Sequence, residues 1–279
     1  MLASLALAGT AQTCAITLTD LRVSPVAYDP FAFATVRATA DVTARLDGPD
    51  ACDPVLSLTQ DDLNPIDHLS VGGGPAILFD IRPVGAFAAG QEITLHLTPD
   101  HPADTAHWEL VLSRDAVLAP GSYTTPLAVS ARLDGQATRV ISRGAFLLNV
   151  SSRAQVNIAG ASGHFGQGTL STLDFGQMSS GEQRRAFVQV RANTAVLAVV
   201  SSRNGGVMRN ETLPSAEPVA YTASLDGKAL NLTQVNLLAL DPPPSIDGLS
   251  LPLDVTLGAV EGKMAGHYSD IITIDVSPR

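Results

Sequence analysis

The sequence predicts an all-β protein built as two β-sandwich-like halves, and three observations predict it. Apolar and polar residues alternate with period two in several segments. No window carries sustained i, i+3, i+4, i+7 apolar spacing. Gly (23 residues) and Pro (18) punctuate the whole length. Period-two patterning marks strands with one buried face, and short strands at regular turn spacing mean a sandwich or barrel. At 279 residues the chain is long enough for two ordinary domains, and 45% hydrophobic residues supply core material for both.

Charge narrows the function classes. Only 16% of residues are charged, and 17 basic against 27 acidic residues give a net charge of -10. No run of Lys or Arg interrupts that balance. A nucleic-acid binder needs such a run, because phosphate neutralisation supplies most of its affinity. Nucleic acid is therefore excluded as a partner, as is a polybasic membrane patch.

The first eleven residues combine an apolar core with small residues, and Gly9 and Ala11 are placed for cleavage after Ala11. Residues 1–13 accordingly read as a signal-peptide remnant and short leader, which predicts export and a secreted protein. No basic n-region precedes the apolar run, which points to a misassigned or truncated start. The only cysteines are Cys14 and Cys52. An even count beside an export signal favours a disulfide over two free thiols. A zinc site would want more Cys or His at short spacing.

Along the chain, Ile16-Thr17-Leu18-Thr19 begins the first strand. Pro25 and Pro30 bracket an aromatic loop holding Tyr28, Phe31 and Phe33. Next comes the clearest alternation: Val36, Ala38, Ala40, Val42, Ala44 and Leu46 on one face, Arg37, Thr39, Asp41, Thr43 and Arg45 on the other. Asp47-Gly48 closes it with a hairpin-type turn, and Cys52 opens the following strand. Strands are predicted at 76–81, 92–98, 108–113 and 127–133. Asp134-Gly135 then turns the chain into 139–150.

Ser151-Ser152-Arg153 and the glycine-rich stretch 159–168 mark a boundary, giving an N-terminal domain over 14–151 and a C-terminal one over 152–279. Strands follow at 185–192, 195–201, 219–225, 229–233 and 251–257, with Asp226-Gly227 as a turn and Asp241-Pro242-Pro243-Pro244 as a rigid loop. In the terminal strand Ile272, Ile274 and Val276 alternate with Thr273, Asp275 and Ser277. A weak internal repeat links the halves: Gly121-Ser122-Tyr123-Thr124 leads into 127–133 much as Gly266-His267-Tyr268-Ser269 leads into the terminal strand. One more strand, 139–150, follows in the first half and none in the second. If the halves are homologous, the second sandwich lacks its final strand.

These residues carry a family likeness. Leu173-Asp174-Phe175-Gly176, Val188-Gln189-Val190-Arg191-Ala192-Asn193, Ser201-Ser202-Arg203-Asn204-Gly205-Gly206, Tyr221-Thr222-Ala223-Ser224-Leu225 and Ala265-Gly266-His267-Tyr268-Ser269-Asp270 resemble the spore coat U domain. That is the pilin domain of archaic (Csu-type) chaperone–usher fimbriae. The likeness covers residues 152–279; each motif alone is weak, but their order and spacing together are specific. The first half resembles the family through its architecture and its Gly-x-Tyr strand start.

The resemblance implies two immunoglobulin-like sandwiches, the second lacking its final strand. A periplasmic chaperone would lend that strand, an outer-membrane usher would handle assembly, and a neighbouring pilin subunit would donate the permanent replacement. Tyr268, Ile272, Ile274 and Val276 are the candidate strand-acceptor groove. After cleavage at Ala11 only Gln12 and Thr13 precede Cys14, too few for a donor segment, so the layout resembles a two-domain tip adhesin. The expected function is a tip-type fimbrial subunit supporting adhesion to abiotic or host surfaces and biofilm formation. Export would run through the periplasm to the cell surface. The second half has no cysteine pair, whereas many pilin domains have one. A shaft or adaptor pilin with a misassigned start and a free-standing secreted carbohydrate-binding sandwich are the alternatives.

The expected adhesive loops belong to the first domain: Tyr28, Phe31 and Phe33; Ile77, Leu78 and Phe79 beside Val71-Gly72-Gly73-Gly74-Pro75; and Val84 and Phe87 in a third. Apolar side chains on Gly- and Pro-rich loops would make an exposed patch, with caps over the sandwich core as the competing reading. His96, His101 and His107 read as solvated surface, because their spacing matches no recurring ligand pattern. No Gly-x-Ser-x-Gly elbow is present, and nothing singles out a glycosidase carboxylate pair. The sequons at Asn149, Asn210 and Asn231 say little. No enzyme activity, cofactor or metal is expected.

Overall fold

The computed structural model describes residues 14–32, 34–60, 63, 68–69, 77–85, 88–89, 91–113, 117–133, 139–161 and 164–279. Among them every regular element is a strand. The chain forms two compact units. One draws on residues 1–28, 33–116 and 122–150; the other on 29–32, 117–121 and 151–279. The turn expected at Asp134-Gly135 lies outside the described residues.

Unit 1 contains β1 (Ile16–Leu18), β2 (Arg22–Val23), β3 (Val26–Tyr28), β4 (Val36–Leu46), β5 (Val55–Gln60), β6 (His68–Leu69), β7 (Ile77–Val84), β8 (Ala88–Ala89), β9 (Glu92–Thr94), β10 (Ala103–Leu112), β11 (Gly121–Arg132) and β12 (Val140–Val150). One sheet runs β1-β4-β10-β7-β6, with β2 also against β4; the other runs β3-β12-β11-β5-β9-β8. The alternation in β4 explains its place at the centre of the first sheet: Ala38, Ala40, Val42, Ala44 and Leu46 are buried, while its polar residues face outward. Trp108 of β10 is buried on that inner side, and its indole N–H donates to the Gln91 carbonyl at 3.1 Å, the partner a buried indole needs. Cys14 and Cys52 are disulfide-bonded, with Cα atoms 5.6 Å apart. Cys52 is held by a backbone bridge to Leu97, ahead of β5 rather than opening it.

Unit 2 contains β13 (Ala154–Ile158), β14 (Gln183–Ala192), β15 (Val196–Ser202), β16 (Val207–Asn210), β17 (Val219–Leu225), β18 (Lys228–Leu230), β19 (Asn236–Leu240), β20 (Leu249–Leu257), β21 (Tyr268–Ser269) and β22 (Ile272–Pro278). The larger sheet runs β13-β14-β20-β17-β16-β21, with β18 against β17; the smaller is β19-β15-β22. Val188, Val190, Val200, Val219, Leu251 and Val255 form the centre of the core between them. Asp226 and Gly227, at φ 51° and 72°, make the tight turn from β17 to β18, where two successive positive φ values suit an Asp-Gly pair.

The strand over 229–233 ends at Leu230, and β19, absent from the sequence reading, follows it. Three arginines in unit 2 are also fixed. Arg191, buried, stacks over the rings of Phe31 and Phe165 at 4.8 and 4.3 Å, and its burial lowers the guanidinium pKa. Arg153 pairs with Asp29 at 2.6 Å, and Arg185 forms a two-pronged pair with Asp254 at 2.6 and 3.0 Å.

Candidate functional site: the open edge of the terminal strand

The site is one side of β22. Its residues pair in antiparallel register with β15, from Ile272 opposite Ser202 to Pro278 opposite Val196. Among the described residues no strand pairs with its other side. A strand edge of this kind presents unpaired N–H and C=O groups that template a further strand.

Burial records the consequence. On β15, Val196, Ala198 and Val200 are 0–1% exposed. Directly opposite on β22, Val276 and Ile274, with Ile272 beyond them, point into the same core but are only half-buried. Tyr268 of β21 is half-buried likewise. Alternation alone would sink all of these side chains, and the partial exposure lies where, among the described residues, no strand flanks β22.

Unit 1 supplies the comparison within the same chain. Strand β11 begins at Gly121 (φ 153°), and the segment carrying β21 and β22 begins at Gly266 (φ 153°), each two residues ahead of a tyrosine. In unit 1, β12 lies beside β11, and β3 closes the far side in parallel register, Leu148 opposite Val26 and Val150 opposite Tyr28. With that strand in place Leu127, Val129 and Ala131 of β11 are 0% exposed. In unit 2 no described strand occupies the place of β12. There β13 comes within 8 Å of β22, Cα to Cα, with no backbone pairing between them.

The candidate loop residues fall differently. Tyr28 and Phe31 are 2% and 5% exposed, which corrects the expectation that they form an exposed patch: pairing of β3 with β12 carries Tyr28 inward, and Arg191 covers the ring of Phe31. Phe33 and Phe87 lie outside the described residues, as does the loop 71–75. Ile77, Leu78 and Phe79 are placed in β7 by backbone only. Val84, at the end of β7, is 55% exposed. His96 and His107 are exposed and lie 2.5 and 2.6 Å from Asp53 and Asp41. Among the described residues no group of three or more His, Cys, Asp or Glu is placed to hold a metal ion.

At the start of β22 lies a polar cluster that sequence reasoning missed. Asp270 stands between β21, which belongs to the larger sheet, and β22, which belongs to the smaller. Its Oδ2 accepts hydrogen bonds from the Tyr221 hydroxyl and the Ser202 hydroxyl, both at 2.6 Å. Its Oδ1 accepts from the backbone N–H of Asn204 at 3.0 Å and of Ile271 at 2.7 Å. Burial, and then the bond to Asp270, push the Tyr221 phenol far above the usual tyrosine range.

No family model matches the sequence, and no curated protein matches it. Solved structures do. The chaperone–tip adhesion subunit pre-assembly complex CsuC–CsuE, from archaic chaperone–usher Csu pili of Acinetobacter baumannii, aligns at 12% identity with a TM-score of 0.53. The match spans 94% of this chain and 99% of that one. A chaperone–tip adhesin complex of CFA/I fimbriae aligns at 14% identity and TM-score 0.39, covering 89% and 77%. A variant of the enterotoxigenic E. coli CFA/I adhesin CfaE gives 14% and 0.38, covering 95% and 81%. The first likeness shows a shared all-β, immunoglobulin-like sandwich fold over nearly the full length of both chains.

Proposed function

We propose that this protein is a subunit of an archaic chaperone–usher fimbria, joined to its neighbour by a strand inserted along the open edge of β22. One observation carries the reading: among the described residues no strand pairs with the outer side of β22, and its core-facing Ile272, Ile274 and Val276 are only half-buried, whereas in unit 1 β11 is flanked on both sides and its Leu127, Val129 and Ala131 are buried. Inserting a strand pairs the free backbone groups and completes the burial of Ile272, Ile274 and Val276. Each aliphatic side chain contributes up to about 1.5–3 kcal/mol when fully buried. A periplasmic chaperone would supply the strand first and a neighbouring subunit afterwards, with an outer-membrane usher between the two steps. The overall fold shared with a tip adhesion subunit supports placing the chain at a fibre tip, with unit 1 facing a host or abiotic surface and promoting biofilm. Val84 is the exposed apolar candidate for that contact. The role is binding and assembly rather than catalysis.

The test uses the whole chain, because unit 2 draws on Asp29–Ala32 and Val117–Gly121. A short turn and an alternating apolar strand are appended after Arg279, in phase or shifted by one residue. A one-residue shift turns every apolar side chain to the wrong face. A rise in thermal stability with the in-phase strand alone supports the acceptor edge. Equal behaviour of both extensions and the unextended chain sinks it. Co-purification with a fimbrial chaperone from the same source then tests the fimbrial assignment.

A further inference from the structure

We propose that Asp270 is a positioning residue that holds β22 ready to receive a strand while its outer edge is still open. The proposal rests on the acceptor-edge reading above and adds to it the device that keeps the edge in place.

A strand paired on one side alone is free to fray, and among the described residues β22 pairs only with β15. Asp270 sits at the corner where the chain leaves the larger sheet and joins the smaller. Its four acceptor positions take four donors: the hydroxyls of Tyr221 and Ser202, and the N–H groups of Asn204 and Ile271. Tyr221 belongs to β17 of the larger sheet and Ser202 to β15 of the smaller, so the carboxylate ties the start of β22 to both. Bonds to an ionised carboxylate are stronger than neutral ones.

The surroundings reinforce the clasp. The Ser202 hydroxyl also accepts the Gly206 N–H at 2.8 Å, and the Arg203 N–H donates to the Ile271 carbonyl at 2.9 Å. Asn204 Nδ2 reaches the Ser269 carbonyl at 3.3 Å. None of these bonds uses the outer edge of β22, so all of them are available before any partner arrives. At the opposite end the Arg279 N–H donates to the Ala195 carbonyl at 2.9 Å, again on the β15 side. The carboxylate therefore does for the open edge what a flanking strand does in unit 1.

The experiment compares the full chain with and without the in-phase strand extension, as wild type, Asp270→Asn and Tyr221→Phe. It reads two quantities: the melting temperature of each form, and the rate at which each unextended chain captures a labelled alternating apolar peptide. Asp270→Asn is expected to slow capture at least tenfold. It is also expected to lower the melting temperature at least twice as much in the unextended chain as in the extended one, where the added strand clamps β22 from the other side. Tyr221→Phe shifts both readouts in the same direction by less, and it carries the test if Asp270→Asn fails to fold. Equal melting losses in both forms with unchanged capture overturn the proposal and leave Asp270 an ordinary structural contact. A wild type that gains nothing from the extension and captures no peptide overturns the acceptor edge itself, and the positioning role with it.

Discussion

Gly121 and Gly266 hold the same backbone angle, φ 153°, each two residues ahead of a tyrosine. That region is open to glycine almost alone. At Gly266 a Cβ would sit inside van der Waals contact with Asn210 Nδ2. Asn210 is buried, and its Oδ1 accepts the N–H groups of Thr212 and Leu213 at 3.0 and 2.9 Å, so it has little room to yield. Gly266→Ala should therefore cost about 1–3 kcal/mol, measured as a lower denaturant midpoint of the full chain with an unchanged slope.

Tyr221 gives a pH signature. In the folded protein its phenol keeps its proton well above the ordinary pKa of about 10. The folded state thus binds the proton more tightly than the unfolded one, and the resulting stability is full below pH 10 and declines as pH rises beyond it. Wild type should lose melting temperature above pH 10 more steeply than Tyr221→Phe. At neutral pH the same substitution should cost about 1.5–3 kcal/mol, the range for a hydrogen bond to a charged group. Parallel pH profiles would refute the assignment.

Ile274 should change its energetic weight when a strand is added. It is half-buried beside the open edge and packed against the core. Ile274→Ala in a strand-extended chain should cost about 2–5 kcal/mol, the range for fully buried aliphatic side chains. In the unextended chain the loss should be roughly half that. Thermal or chemical unfolding of the four proteins checks this, and equal losses would mean that the added strand does not cover Ile274.

The disulfide closes a loop of sequence separation 38. Chain entropy assigns such a cross-link about 3–4 kcal/mol. Replacing Cys14 and Cys52 together by Ser should lower the unfolding transition of unit 1 by that amount. The transition of unit 2, which has no cysteine, should stay where it was when followed by probes placed in each unit.

Much of the fold was legible because strand patterning is local. The run from Val36 to Leu46 announces its buried face residue by residue: Ala38, Ala40, Val42, Ala44 and Leu46 are buried, and only Val36, at its end, is partly exposed. The terminal strand was equally clear, since Ile272, Ile274 and Val276 alternate with Thr273, Asp275 and Ser277. Strand β19 was not. Asn236-Leu237-Leu238-Ala239-Leu240 has no alternation to read, and Leu237 is 65% exposed.

The site was legible as a strand and not as a place. Sequence by itself determined the all-β class, the period-two faces, the cysteine pair and the strongly apolar terminal strand, because each is set by neighbours one or two positions apart or by simple composition. Tertiary structure alone decided what lies beside what. It buried Tyr28 by pairing β3 with a strand more than a hundred residues later, left one side of β22 without a partner strand among the described residues, and brought Tyr221 and Ser202 onto Asp270 across sequence separations of 49 and 68. The physical reason is that backbone pairing and hydrogen bonding between distant segments leave no periodic trace in the chain, whereas burial of one strand face does.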